Sequence, residues 1–389
     1  MLVPSRISLF GILCSLLSSE KRPATLEDVV DVLDEDHWRR LIRLADESYV
    51  LPALYPALLF HDVLERVDVE VKEYLALVHE LTAERNRLIL LQTVAVVRLL
   101  NGFGIEPLPL KGCASLLMGE YGAKGERILT DIDILVSEAD IDKAIAVLQD
   151  SGYRYYKTPN RSDLDLSYRH HALPLVADGE PVSVELHIRP TPLRERGTLL
   201  DAEMAWSAAM RTNRHGCTFW IPSLEFRMLH AFYHSQIGDK WAWIQSAPLR
   251  SLMDFQRLAS NGGERVDWEA MWGLVQKYRL ERPYSLYVDT CRKYFGLTVP
   301  DYAFKKGLLL KYDTLWRDGI QRYPLVAKIR YLYAYALKSL YRQFSLLQAR
   351  KDYGDLPVIR LIYYRMCKGL SFSLYARKVR DMGSIFRSL

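Results

Sequence analysis

The segment that most limits what this chain can fold into is LTDIDILV, residues 129–136. Ile132, Ile134, Leu135 and Val136 read as a buried strand, and a buried strand must be covered on both faces. Asp131 and Asp133 interrupt it at its head. Residues i and i+2 of a strand point to one side, so the two carboxylates face the same place. Desolvating a carboxylate is costly unless something offsets it. The sequence therefore expects cations where these side chains converge.

The rest of the chain is organised around that strand. Residues 1–104 carry helical periodicity, clearest from Val71 to Leu100, and Thr25 is the expected N-cap of an early helix. Residues 105–200 change character. EPLPL, LTDIDILV, GYRYY, RHHALPLV and PVSVELHI read as strands, the last two joined by an Asp178-Gly179 turn. A helix follows Lys111-Gly112. Another runs from Ser137 as N-cap to a stop at Gly152. The expected order is β-α-β-α-β-β-β, a small mixed sheet in an α+β fold. Residues 201–389 return to helix, with one opened by Pro222-Ser223, one over WAWIQSAPLRSLMDFQRLA and one over VDWEAMWGLVQKYRL. The domain reading is a catalytic core at 105–200 between helical regions at 1–104 and 201–389.

Composition excludes little but charge placement matters. Hydrophobic residues make up 49% and charged residues 25%, as in an ordinary folded protein. From Gln321 onward fourteen Lys or Arg stand against three acids, an excess of +11 in a chain whose net charge is +5. The body is thus mildly acidic and the tail basic. The five cysteines are scattered, with no metal-ligand spacing, which points to a reducing, cytoplasmic setting. The run ISLFGILCSLL lacks a small-x-small cleavage site and is read as a first helix rather than a signal peptide. No apolar run is long enough for a transmembrane helix.

Several residues could carry chemistry. Asp131 and Asp133 form a DxD pair, two hard oxygen ligands for Mg²⁺ or Mn²⁺; the plain alternative is two exposed strand-end acids. Lys111-Gly112 lies at a strand-to-helix turn, where free N–H groups and a lysine can meet phosphate. Arg127 is a second candidate phosphate cation, or a solvated loop arginine. In PVSVELHIRP, Glu185 and His187 share one strand face, and Glu185 becomes a third carboxylate if this strand lies beside TDID. His187 either orients a carboxylate or packs. His230 and His234 stand at i, i+4 on a helix, for substrate contacts or for core packing. Arg250 and Asp254, also i, i+4, are expected to pair, and the loop at Asp239-Lys240 to line an acceptor cleft.

The set LKG, GERILTDIDILV and VELHIRP resembles the nucleotidyltransferase superfamily with the DNA polymerase β-type core. More narrowly, it is similar to the bacterial uncharacterised nucleotidyltransferase family with an LKG motif. The likeness covers residues 105–190 and extends more loosely to about Leu280. It implies Asp131, Asp133 and Glu185 as metal ligands and Lys111-Gly112 in place of the superfamily's Gly-Ser phosphate motif. Two positions depart from the pattern. Cys113 replaces a small hydroxyl residue, which leaves phosphate to backbone N–H groups, Ser115 and Lys111. Glu185 replaces the commoner Asp. The implied reaction is attack of an acceptor hydroxyl on the α-phosphate of an NTP, ATP first, releasing pyrophosphate.

Two other readings compete. A DxD glycosyltransferase predicts a longer α/β half before the motif and leaves Lys111-Gly112 and Glu185 without roles. A non-catalytic nucleotide-binding or interaction protein would keep the core as scaffold. The tyrosine-rich basic tail fits RNA, an anionic membrane surface, or simply a helical bundle with solvated cations.

Overall fold

The computed structural model describes residues 9–20, 23–167, 169–192, 199–239 and 248–307. The basic tail and Lys240 lie outside them.

An N-terminal helical layer comes first. It holds α1 (Leu9–Leu16), α2 (Pro23–Val30), α3 (Glu35–Glu47) and α4 (Leu54–Phe60). The apolar run read as a first helix is α1, and its Phe10, Ile12, Leu13, Cys14 and Leu16 are core residues. α2 begins at Pro23, so Thr25 lies inside its first turn and is not its cap. Proline suits a first helical position because its missing N–H has no intrahelical partner there anyway. α5 (Val69–Gly102) is long and capped by the Asp68 carboxylate, which accepts from the Glu70 N–H.

The sheet follows in the expected order. β1 (Leu108–Pro109) leads to α6 (Lys111–Met118), β2 (Asp131–Leu135), α7 (Ile141–Asp150), β3 (Arg154–Tyr155), a short α8 (Arg161–Leu164), β4 (Leu175–Val176) and β5 (Ser183–His187). Spatial order is β1-β2-β5-β4-β3, with β2 and β5 parallel and the other pairings antiparallel. The turn carrying Gly179 (φ 83°) joins β4 to β5 as the Asp-Gly signal predicts. Gly152 (φ 94°) ends α7, but that helix begins at Ile141. Ser137 instead caps the turn before it, accepting from the Asp140 N–H at 3.1 Å.

β2 is central and buried over Ile132–Leu135. Ile132, Ile134, Val184 and Leu186 join α5, α6 and α7 side chains in one core. Full burial of each such side chain is worth about 1.5–3 kcal/mol. α5 also holds the loop before β2. Asn86 Nδ2 donates to the Lys124 and Arg127 carbonyls at 2.8 and 2.9 Å, and Arg85 donates to the Leu129 carbonyl. A Cβ on Gly125 would sit 2.2 Å from the His79 carbonyl oxygen, so the loop needs glycine to lie this close to α5.

After α9 (Ala202–Ser207) comes a hairpin, β6 (Met210–Arg214) and β7 (Cys217–Ile221), in a region read as wholly helical. The C-terminal helices are α10 (Leu224–Tyr233), α11 (Leu249–Gly262), α12 (Trp268–Lys277) and α13 (Glu281–Phe295). α10 is capped by Ser223 as expected. α11 begins at Leu249; the expected start of that helix, before Pro248, falls outside the described residues. α10–α13 share a second core with α1 and α3, which lays the helical regions against one another. Among the described residues no helix is long and apolar enough to cross a membrane.

Candidate active site

The parallel register of β2 and β5 sets Asp133 opposite Glu185 and Leu135 opposite His187. Side chains two apart share a face, so Asp131, Asp133, Glu185 and His187 lie on one face of the two strands, with Asp133 and Glu185 at its middle. Asp133 is 2% exposed. Its Oδ1 accepts from Lys111 Nζ at 2.9 Å and from His187 Nε2 at 2.8 Å. Burial alone would raise its pKa; the Lys111 ammonium and the His187 hydrogen bond outweigh burial and hold the carboxyl well below the usual range. Lys111 is tuned in mirror fashion. Burial lowers its pKa, but the charges of Asp133 and Asp131 more than restore it, leaving it raised.

The other two carboxylates have no such partner. Burial, then the charge of Asp133, raises the pKa of Asp131. Burial, then repulsion from Asp133, pushes Glu185 up to about 7. His187 Nε2 and His171 Nε2 lie 3.7 and 3.9 Å from Glu185 Oε2. Burial, then His187, lowers His171 to about 4, so this neighbour is neutral. Ligand atoms of Asp133, Glu185 and His187 lie within 4.8 Å of one another.

Lys111 opens α6 with φ 50°, a left-handed conformation that costs a non-glycine residue about 1–2 kcal/mol. Such strain persists where surroundings over-determine the geometry. Here the Leu110 N–H donates to the Asp133 carbonyl while the Lys111 ammonium holds the Asp133 carboxylate. Gly112 is required by packing as well as by access: a Cβ there would lie 2.4 Å from Leu129 Cδ2. The turn lines a cleft of ≈ 880 Å³, including its open mouth, whose opposite wall comes from α10 and α11. Ser115, Arg127, His230 and His234 all line it.

A sequence profile described as "uncharacterised nucleotidyltransferase" matches residues 34–296. The chain belongs to that family. The match takes in the sheet, the cleft and most of the helical flanks. No curated protein matches the chain. Two solved structures of the antibiotic-resistance factor ANT(2'')-Ia are similar over half of it. The solution structure is 12% identical, covering 50% of this chain and 91% of that one, TM-score 0.34. The crystal structure with adenylyl-2''-tobramycin is 11% identical, covering 50% and 97%, TM-score 0.33.

The far wall of this nucleotidyltransferase corrects one expected pairing. Asp254 does not pair with Arg250. It is held bidentately by Arg127, whose Nε reaches Oδ1 at 2.9 Å and whose Nη2 reaches Oδ2 at 2.9 Å. The i, i+4 spacing does put Arg250 and Asp254 together on the cleft wall. Arg127 simply brings a better fork geometry to the same carboxylate. Arg127 is therefore a buried cation already compensated, not a solvated loop arginine. Two further ion pairs tie its loop to the helices: Arg227 on α10 with Glu120, and Arg257 on α11 with Glu126 at 3.0 Å. Arg227 Nη2 also donates to Ser115 Oγ at 2.9 Å.

α10 continues into a π-helical turn, His234–Gly238, a widened turn often found at functional sites. His230 and His234 stand with ring centroids 6.3 Å apart. His230 Nε2 is buried without a hydrogen-bond partner. Burial, then the Lys111 charge, keeps both histidines neutral, with His234 lowered to about 3. Asp239 sits 3.6 Å from His234 rather than in the cleft lining. Arg227, Arg250, Ser251 and Tyr121 line the cleft without having been singled out as site residues. Of these, Arg250 carries a sequence signal in its i, i+4 spacing to Asp254, and Arg227 stands one turn before His230 on its helix.

Proposed function

We propose that this protein transfers an NMP group from an NTP, with ATP as the expected nucleotide, to an acceptor hydroxyl on a small molecule, a protein or RNA. The observation that carries this reading is the grouping of Asp133, Glu185 and His187 within 4.8 Å beside the Lys111 turn, with Asp131 on the same face of β2. The carboxylates fit a divalent cation such as Mg²⁺ or Mn²⁺. They are hard oxygen donors, two of them have no ion-pair partner, and burial, then the Asp133 charge, raises the pKa of both. Asp131, Asp133 and Glu185 would hold the ion, which when bound stabilises charge on the phosphates and the attacking oxygen.

The chain's own groups supply the rest. Both hydrogen bonds to Asp133 fall on Oδ1, so its second oxygen stays directed and available. His187 fixes that orientation from a fully buried position. Glu185 would help hold the metal that activates the acceptor hydroxyl, whose proton passes to solvent as its oxygen bonds to the α-phosphorus. The bond from the α-phosphorus to the bridging oxygen breaks, and pyrophosphate leaves with that electron pair. The N–H groups at the start of α6, held in place by the Lys111–Asp133 pair, would bind phosphate oxygens of the α-phosphate. Positioning and electrostatics provide most of the acceleration in such reactions. The basic segment after Gln321 supplies charge for an anionic acceptor such as RNA, and a cytoplasmic setting supplies the nucleotide.

The test is label transfer from α-³²P NTPs with Mg²⁺ or Mn²⁺, offered RNA, protein and small-molecule fractions separately. Label should enter one fraction with wild type and none with Asp133→Ala. Equal labelling by both proteins would overturn the assignment.

A further inference from the structure

The cleft cations divide into committed and uncommitted ones. Lys111 is bound to Asp133, Arg127 to Asp254 and Arg227 to Glu120. Arg250 is different. It lines the cleft from the first turn of α11, and among the described residues it has neither an ion pair nor a hydrogen bond. The nearby acids are Asp254, already held by Arg127, and Asp131.

What Arg250 does have is a ring beneath it. Its guanidinium carbon lies 5.1 Å from the centroid of Tyr49, which follows α3. Stacking uses the face of the guanidinium and leaves its five in-plane N–H donors unspent. Tyr49 itself stands at φ 57°, the left-handed position that ends α3: its N–H donates to the Asp46 carbonyl and the Val50 N–H donates to the Ala45 carbonyl. That turn leaves its side chain largely exposed, with the ring under the Arg250 guanidinium.

We infer that Arg250 binds the β- and γ-phosphates of the NTP and the pyrophosphate they become, and that Tyr49 positions it. The inference rests on the nucleotidyl-transfer reading above and assigns the leaving-group end of that site. The argument is one of charge and of donors. Asp131 and Asp133 line the cleft from the sheet side, opposite α11, and with a divalent ion suit the α-phosphate where bonds change. Pyrophosphate departs with added negative charge on the bridging oxygen. It needs a cation that no carboxylate already neutralises, with several donors in a plane, and a guanidinium matches phosphate oxygens in that way. Burial, then the charge of Arg127, lowers the Arg250 pKa, consistent with a cation that lacks its counter-charge.

The experiment is calorimetric binding of ATP, pyrophosphate and AMP, each with Mg²⁺, to wild type, Arg250→Gln, Arg250→Lys, Tyr49→Ala and Tyr49→Phe. Thermal unfolding is run on each protein. Arg250→Gln should bind ATP and pyrophosphate about 10- to 100-fold more weakly while AMP changes less than about 2-fold. Arg250→Lys should recover part of the loss. Tyr49→Ala should weaken the same two ligands by about 3- to 10-fold, and Tyr49→Phe should restore them, because only the ring is used. ATP binding unchanged in Arg250→Gln overturns this inference alone. Equal weakening of ATP and AMP also overturns it, since the contact would then lie at the α-phosphate or nucleoside. Absence of ATP binding by wild type overturns the transfer reading and this inference with it.

Discussion

Asp254→Ala tests how the cleft is held together. Asp254 receives two N–H groups of Arg127 at 2.9 Å and a third contact at 3.1 Å. Side-chain exposure is 9% for Arg127 and 22% for Asp254, so removing the carboxylate strands a guanidinium with little water around it. Breaking a buried pair from one side costs about 3–5 kcal/mol. Arg127 keeps a hydrogen bond to the Ile128 carbonyl, which argues for the lower end. At about 2 °C per kcal/mol for a domain of this size, the melting temperature should fall by about 6 °C. Replacing both partners with apolar residues, Arg127→Met with Asp254→Ala, removes the stranded charge. That double variant should be more stable than Asp254→Ala, with a coupling of about 2 kcal/mol between the sites. Calorimetric unfolding of wild type, Arg127→Met, Asp254→Ala and the double variant measures all terms. A loss below about 1 kcal/mol for Asp254→Ala, or effects additive within about 0.5 kcal/mol, would show that the pair does not clamp the loop to α11.

Three other outcomes are expected. Glu185, pushed up to about 7, must lose its proton for the carboxylates to hold a divalent ion. Mn²⁺ affinity, followed by electron paramagnetic resonance, should drop about tenfold per pH unit below that value and level off above it, and Glu185→Gln should remove the dependence. In the metal-free protein the sign for stability is opposite to that of an ordinary paired acid. Folded Glu185 holds its proton more tightly than the unfolded chain, so its contribution falls as pH rises from about 4.5 to about 7. His187→Ala, which frees Asp133 Oδ1 of one partner, should weaken Mn²⁺ binding about 10- to 100-fold while the chain stays folded. Gly112→Ala places a carbon 2.4 Å from Leu129 Cδ2 and should cost about 1–3 kcal/mol in denaturant unfolding, with partial rescue by Leu129→Ala.

The legible parts of this protein were those written in local periodicity. β2 and β5 alternate or run apolar within a few residues, and their chemistry sits in the same short motifs. The β6–β7 hairpin was missed because β6 has no buried residue, so its sequence lacks an apolar face to read. The signal was in its turn. His215 and Gly216, with φ 54° and 68°, form a two-residue loop of the kind that matches strand twist. Cap assignments shifted for a related reason. Thr25 and Ser137 are good cap types, but Pro23 could start a helix earlier and Asp140 could start one later. The far wall of the cleft was the least readable. Arg127 and Asp254 are 127 residues apart, and helical spacing offered Asp254 a nearer, wrong partner in Arg250.

That error is informative about the site. Had Arg250 paired with Asp254, Arg127 would have been the cleft cation left without a carboxylate. Arg127 takes the carboxylate instead. Asp131 and Glu185, without an ion-pair partner, keep raised pKa values on the shared face of β2 and β5, and Arg250 keeps a lowered one on α11. A cleft polarised in this way is not stabilised by its own contacts, since each group bears the cost of burial without a partner. On the function proposed above, the arrangement would become favourable once a divalent ion met the carboxylates and a polyphosphate reached the arginine. The buried pairs Arg127–Asp254 and Arg257–Glu126, which join the loop before β2 to α11, fix that distance. In this protein the ordinary ion pairs set the geometry, and the unpaired charges they leave are the ones a nucleotide would use.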